Sequence, residues 1–335
     1  VGEVLEELIV LGHAGHVPAF RSDPRCEVVA ISASTSARAA QIAGRLGIAA
    51  AYADWRDLVA SPRVDLVSVA VPPAVQPDVV IAAAAARKPV FCEKPLAVDV
   101  ASAERMLTAV RESGVKHAID LEFAELPVWR TVKQMIDDGA IGRARSCTMT
   151  WHVRTRSRPA DSWKQRPDAG GGALAGFASH LLYLLEWCLG RAARVAAKLD
   201  AEGGRARVEA ALELESECRA AISIATDATT PTGLRAELSG DRATLLVRNT
   251  TGDHVHGHTL QIRYGLGELE AVRCADVPAV VGDARIAAVA PLVSRFIDAI
   301  RGGEAMHPDL VDGVRVQRLL DALVVSDRDR DRIRV

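Results

Sequence analysis

Leu8-Ile9-Val10-Leu11-Gly12-His13-Ala14-Gly15 is an apolar run that breaks into a glycine turn, and Val17–Ser22 follows it as a helical stretch. Strand, glycine turn and helix in this order are the setting of the phosphate-binding fingerprint G-x-G-x-x-G. In that fingerprint the first glycine makes the tight turn and the second lets backbone approach a pyrophosphate. The third allows close helix–strand packing, and the helix N-terminus faces the phosphates. Gly12 and Gly15 match the second and third positions, whereas Val10 stands at the first; the register Gly12-x-Ala14-x-x-Val17 fits less well. A glycine turn can follow any strand, so the reading depends on its surroundings. On this reading Gly12, His13, Ala14 and Gly15 contact a dinucleotide.

The surroundings alternate short apolar runs with helical stretches. Val28–Ile31 reads as a second strand and Ser36–Leu46 as a helix ending at Gly47. Val64–Val71 stops at Pro72-Pro73, Asp78–Ala86 is helical, and Pro89–Cys92 is a strand. Val98–Glu112 is a helix closed by Gly114, and Val115–Ile119 makes the fifth strand. Strands that are apolar throughout and separated by helices predict a parallel sheet covered on both faces, doubly wound by right-handed crossovers. After Phe123 the texture changes. A helix over Leu126–Asp138 leads into a long strand, Ala144–Val153, and Arg194–Val272 then reads as strand after strand between turn signals. Alternation in Arg207–Leu214 and Arg219–Ile224 predicts an open, mainly antiparallel sheet with one wet face. Helices near Ala288–Arg301 and Pro308–Ser326 complete the pattern. The expected division is a dinucleotide domain over residues 1–121 and an α+β domain over 122–335 that shapes the substrate site and assembles the oligomer.

Charge and composition narrow the function. The formal net charge is −2, from 41 basic and 43 acidic residues mixed along the chain, so no basic stripe is present to meet nucleic acid. The apolar runs are too short to span a bilayer, and Glu3, Glu6 and Glu7 stand where a secretory signal would be positive. A cytoplasmic protein with no membrane partner is expected. The six cysteines are widely spaced, which predicts neither a zinc knuckle nor a disulfide framework. Cys92, next to Glu93, reads as a small core residue. The alternate histidines His254, His256 and His258 look superficially like ligands, but Gly257 suggests a turn, and no metal is predicted.

Two points suggest chemistry. The second strand ends in Ser32-Ala33-Ser34-Thr35-Ser36 with Arg38 behind it, where an acid would grip the ribose of NAD. Hydroxyls at Ser34 and Thr35 with the Arg38 guanidinium suit a 2′-phosphate, which favours NADP(H) over NAD(H). The alternative is a Ser36 helix cap and a solvated Arg38. Glu93-Lys94-Pro95 lies past a strand's carboxyl end, where ligands bind in such sheets. Lys94 there can donate to a substrate oxygen and favour a deprotonated alcohol, with Glu93 holding it or touching the cofactor.

The succession of glycine turn, Val71-Pro72-Pro73, Glu93-Lys94-Pro95-Leu96 and Gly170-Gly171-Gly172-Ala173-Leu174 with His180 resembles the Gfo/Idh/MocA family of sugar and cyclitol oxidoreductases. Asp312-Gly313 and Asp321-Ala322 resemble its C-terminal helix signature. The resemblance implies a Rossmann domain, a C-terminal sheet domain, a homodimer or homotetramer, and reversible hydride transfer at a C–OH/C=O carbon of a small molecule. It places Val71, Pro72, Gln76, Trp163 and Lys164 at the cofactor, and Lys94 with His180 at the hydroxyl proton. His152 and Arg154, at the end of a strand, are candidate substrate contacts. Acids that the family often carries four residues before and three after the histidine are replaced by Gly176 and Tyr183, and Gln76 replaces a common histidine. Tyr183 is a candidate donor in place of the acid, or a packing residue. These departures favour an NADPH-dependent reductase of an unusual keto-sugar or biosynthetic intermediate. A non-catalytic dinucleotide sensor and a reductase of an imine or conjugated bond are the alternatives.

Overall fold

The computed structural model describes residues 8–10, 15–155, 162–200 and 207–335, and packing divides them into two units. The first unit takes in residues up to Glu122 together with Val280–Arg315; the second takes in Phe123–Ala279 and Val316–Val335.

In the first unit β1 (Leu8–Val10), α1 (His16–Arg21), β2 (Ala30–Ser32) and α2 (Ser36–Leu46) open the chain. They are followed by β3 (Ala50–Tyr52), α3 (Trp55–Ala60), β4 (Leu66–Val69) and α4 (Gln76–Ala85). Then come β5 (Val90–Cys92), α5 (Val100–Ser113) and β6 (His117–Ile119). The sheet has the order β3-β2-β1-β4-β5-β6, with every pairing parallel. This is the doubly wound Rossmann order, whose reversal between β1 and β4 opens a crevice at the carboxyl ends. Strand and helix boundaries follow local chemistry: Thr35 caps α2 by accepting from Arg38 N, and Gly47 closes it at φ 63°.

Six strands stand where the sequence reading had five. The missed pair, β3 and α3, has little apolar signal, because β3 is a three-residue, partly exposed edge strand. The sequence pattern puts the domain division between residues 121 and 122, whereas packing returns residues 280–315 to the first unit. The cause is α8 (Ile286–Ile300), which carries Leu292, Val293, Phe296 and Ile297 into the core around Phe20 and Phe91. Phe91 meets Phe20 edge-on at 5.5 Å and Phe296 at 5.7 Å.

The second unit holds α6 (Pro127–Asp137), β7 (Ala144–His152), α7 (Ser179–Leu189) and β8 (Ala192–Asp200). It continues with β9 (Arg207–Leu214), β10 (Arg219–Ala225), β11 (Gly233–Gly240), β12 (Ala243–Asn249), β13 (Thr259–Tyr264) and β14 (Glu270–Val272). The long helix α9 (Leu310–Asp329) leads to β15 (Ile333–Arg334). Among the described residues the sheet runs β14-β13-β12-β11-β7-β10-β9-β8-β15, antiparallel throughout except for β7 beside β10. Cys147, Met149 and Trp151 of β7 align with Ala220, Ile222 and Ile224 of β10, and all six are buried. Alternate residues such as Arg219 and Ala221 stay exposed, giving the dry and wet faces that the alternation predicts.

Candidate active site

Three positions toward the carboxyl edge of the first sheet converge on His16, the first residue of α1. Its ring is buried, stands edge-on to Phe91 at 5.1 Å, and has Nδ1 2.7 Å from Ser68 Oγ of β4. Nε2 lies 3.1 Å from Asp120 Oδ2, just past β6, and 3.5 Å from Glu93 Oε1, just past β5. Backbone bonds tie the same edge together: Glu93 N donates to Val69 O at 2.8 Å, and Asp120 N to Cys92 O at 2.7 Å.

Charge within the cluster is set by neighbours. Burial opposes a charged His16, yet its bonds to Asp120 and Glu93 outweigh it and push the imidazole up to about 10. Burial also works against an ionised Glu93, but His16, then Lys94 and Arg285, hold its carboxyl down at about 2. Asp120 is raised by burial and by the Glu93 charge. Glu122, buried beside them, is pushed up to about 8 by burial and the Asp120 charge, against the pull of Lys94.

That shift has a consequence for stability. A carboxyl near 4.3 when unfolded and about 8 when folded binds more protons in the folded state between those values. Its contribution is present at the acid end and is lost as pH rises through 8. Glu122→Gln, which mimics the protonated form, should therefore gain melting temperature relative to the parent as pH rises from 5 to about 8, by several degrees at the top. Differential scanning fluorimetry across that range checks it; a pH-independent difference is the contrary result.

Lys94 is half-buried and follows Glu93 in a turn with a cis Lys94–Pro95 peptide, its backbone N–H donating to Glu93 Oε2 at 3.0 Å. Gln76 holds this turn. Its amide is fully buried, with Nε2 donating to the carbonyls of Pro95 at 2.8 Å, Glu93 at 3.2 Å and Leu96 at 3.3 Å. Gly313 backs it, because a Cβ there would sit 2.9 Å from the side chains of both Leu96 and Ile119. The glycine of the C-terminal Asp-Gly pair thus packs onto the turn that carries Lys94.

At the other end, Ser34, Thr35 and Arg38 are exposed after β2, and the Arg38 guanidinium has no ion-pair partner among the described residues. Val71 and Pro72 are half-buried beyond β4, and Gly15 is the N-cap of α1. Gly12, His13 and Ala14 lie outside the described residues. This donor set fits a nicotinamide dinucleotide, with hydroxyls and a free cation where an adenosine ribose belongs and a partly exposed carboxylate and ammonium at the strand ends.

In the second unit His180 is buried at the start of α7, reached through a π-helical turn over Leu174–Ala178 of the kind that often marks functional sites. Its ring stacks on Phe123 at 4.5 Å and lies 6.3 Å from Trp151, which meets Phe177 edge-on at 4.7 Å. Gly176 carries no side chain, and a Cβ there would meet nothing within 4 Å. Tyr183 is buried with its ring stacked on Trp187 at 6.4 Å. Gly171 is required by contact: a Cβ would press to 2.2 Å of Trp163 O and 2.7 Å of Lys164 C. Gly170 and Gly172 flank it at φ 77° and 85°, a left-handed conformation that favours glycine. The glycine run and the Trp163-Lys164 turn are therefore one packed feature.

His152 and Arg154 are not brought to His180. Strand alternation buries Trp151 on the His180 side and turns His152 to the other face, where Nε2 bonds Ser223 Oγ at 2.9 Å. Arg154 donates to the carbonyls of Ala228 and Thr229, at 3.2 Å each. The three clustered histidines serve separate partners: His254 packs edge-on to Trp151, His256 bonds Asp253 at 2.8 Å, and His258 lies 3.2 Å from Val255 O. Cys92 is fully buried and its thiol is raised by desolvation, as a core cysteine should be. His16, Asp120 and Glu122 escaped the sequence reading. The available signal was a polar residue directly at a strand's carboxyl end or at the helix start after the glycine turn.

A Rossmann sheet with a Glu-Lys-Pro turn at its carboxyl edge, joined to an open-sheet domain, defines a dinucleotide-dependent oxidoreductase. Family models agree: residues 10–121 match the oxidoreductase family NAD-binding Rossmann fold, and residues 133–335 its C-terminal alpha/beta domain. The chain belongs to the Gfo/Idh/MocA family and is an NAD(P)-dependent oxidoreductase acting on CH–OH groups. It is 28% identical over 332 residues to an uncharacterized oxidoreductase of Synechocystis sp., covering 92% of this chain and 90% of that protein. It is 32% identical over 165 residues to the levoglucosan dehydrogenase of Pseudarthrobacter phenanthrenivorans, over 48% of this chain and 42% of that enzyme. A solved NAD binding oxidoreductase from Klebsiella pneumoniae superimposes with a TM-score of 0.84 at 26% identity, covering 98% of each chain. Among the described residues no helix is long and apolar enough to cross a membrane.

Proposed function

We propose that the protein is an NADPH-dependent reductase of a keto carbon on a sugar, cyclitol or related biosynthetic intermediate. The observation that carries this is Lys94 in a turn clamped by Gln76 at the carboxyl edge of a Rossmann sheet. The bound cofactor supplies the hydride. Lys94 donates to the substrate oxygen and stabilises the charge that develops there, and His180 shares the hydroxyl proton. Ser34, Thr35 and Arg38 bind the 2′-phosphate, and Gly12–Gly15, Val71, Pro72, Glu93 and Trp163-Lys164 contact the rest of the cofactor. The sugar-acting relative supports the substrate class.

The experiment is incubation of the purified protein with NADPH or NADH and a panel of keto-sugars and keto-cyclitols. Loss of reduced-nicotinamide absorbance, faster with NADPH, is expected. Tight NADPH binding with no turnover would favour the sensor reading, which the absence of acids at Gly176 and Tyr183 supports; reduction confined to imines or conjugated bonds would redefine the substrate. A cytoplasmic homodimer or homotetramer, assembled through the wet face of the second sheet, belongs to the same reading, and light scattering checks its mass.

A further inference from the structure

His16 lies outside the chemistry assigned so far, yet three elements of the first unit direct polar groups at it. Asp120 Oδ2 and Glu93 Oε1 crowd Nε2, and Ser68 Oγ faces Nδ1. Asp120 Oδ1 is buried and has no hydrogen-bond partner among the described residues, so His16 is the donor that answers the Asp120 carboxylate. With a neutral ring, two carboxylates, one of them buried, would face each other beside Nε2 with no positive charge between them, which the interior tolerates poorly. The other charges at this edge are Lys94, which acts on Glu93, Asp120 and Glu122, and Arg285, which acts on Glu93 and Glu122 while paired with Asp283 at 2.6 Å.

We propose that His16 is a positioning residue: as a buried imidazolium bridging Asp120 and Glu93, it fixes the Glu93 carboxylate whose oxygen receives the Lys94 backbone N–H, and so aims the Lys94 turn. The inference rests on the reading that Lys94 serves hydride transfer. Its geometry ties α1, which follows Gly15, to the ends of β4, β5 and β6, so the first helix and the reacting turn are set by one side chain.

The charge accounts for a pH window as well. A histidine near 6.5 when unfolded and about 10 when folded contributes stability below 6.5 that is lost as pH rises through 10.

Two variants separate positioning from mere stability. His16→Gln leaves Asp120 uncompensated and is expected to melt early. His16→Gln with Asp120→Asn removes the buried charge and should fold. The double variant is expected to regain melting temperature yet keep kcat/KM low by up to about 10²-fold, the scale of a misplaced reacting group, with an altered pH profile. Nitrogen NMR of histidine-labelled protein should show one of the nine imidazoles doubly protonated at about pH 8.5, absent from His16→Gln. A double variant with full melting temperature and full turnover would overturn the proposal, as would a His16 that titrates with the others. So would a stoichiometric divalent metal lost on His16→Gln, since the three donor atoms lie within 4.8 Å of one another. If no keto compound turns over, the reductase reading fails, and the imidazolium signal with the NADPH affinity of the double variant still decides this one: unchanged affinity overturns it, weakened affinity supports it.

Discussion

Lys94→Ala should lower kcat for keto reduction by about 10²–10⁴-fold, the range contributed by a positioned general acid, while NADPH still binds. The turn itself should survive the substitution. Its shape is set by the Gln76 amide on three carbonyls and by Gly313 against Leu96, none of which involves the lysine side chain. The loss is then chemical, since an alanine can neither donate to the substrate oxygen nor offset the charge that develops there. Stopped-flow turnover and calorimetric NADPH titration read the two quantities separately. A variant with normal kcat would remove Lys94 from the mechanism, and one that also loses NADPH binding would make it a cofactor ligand.

Arg38→Asp should reverse cofactor preference, weakening NADPH by about 10²-fold while leaving NADH unchanged or tighter. The basis is that a charge-assisted bond to phosphate is worth roughly 1.5–3 kcal/mol, and the aspartate adds repulsion. The same carboxylate would restore the acid that grips a ribose in NAD enzymes. Arg38 is well suited to the test: its side chain is exposed and unpaired among the described residues, and only its backbone N–H takes part in the Thr35 cap. Competitive titration of both cofactors against parent and variant measures it. Equal losses for both cofactors would place Arg38 elsewhere on the dinucleotide, and no change would make it a solvated helix charge.

The doubly wound architecture was legible because buried parallel strands such as Val90–Cys92 are apolar at every position. The wet-faced second sheet was legible from alternation, as in Arg207–Leu214. What local pattern could not carry was partnership across the sheet. Gln76 was read as a cofactor contact; the fold commits its Nε2 to carbonyls nearly twenty residues on. His152 and Arg154 looked like pocket residues because they end a strand, but strand parity turned His152 away from His180 and loop carbonyls took Arg154. His16 and Asp120 are 104 residues apart, so their meeting depends on the strand order and on nothing in either neighbourhood. The place of Glu93-Lys94-Pro95 past a strand's carboxyl end was legible; the side chains that hold the turn were not.

A working oxidoreductase transfers hydride and does not merely bind dinucleotide. NADPH carrying deuterium at the reactive nicotinamide carbon tests it most directly, with products from a keto-sugar panel analysed by mass spectrometry. The expected product is an alcohol that gains one deuterium, formed by the parent and not by Lys94→Ala. Saturating NADPH binding with no deuterium in any product would contradict it.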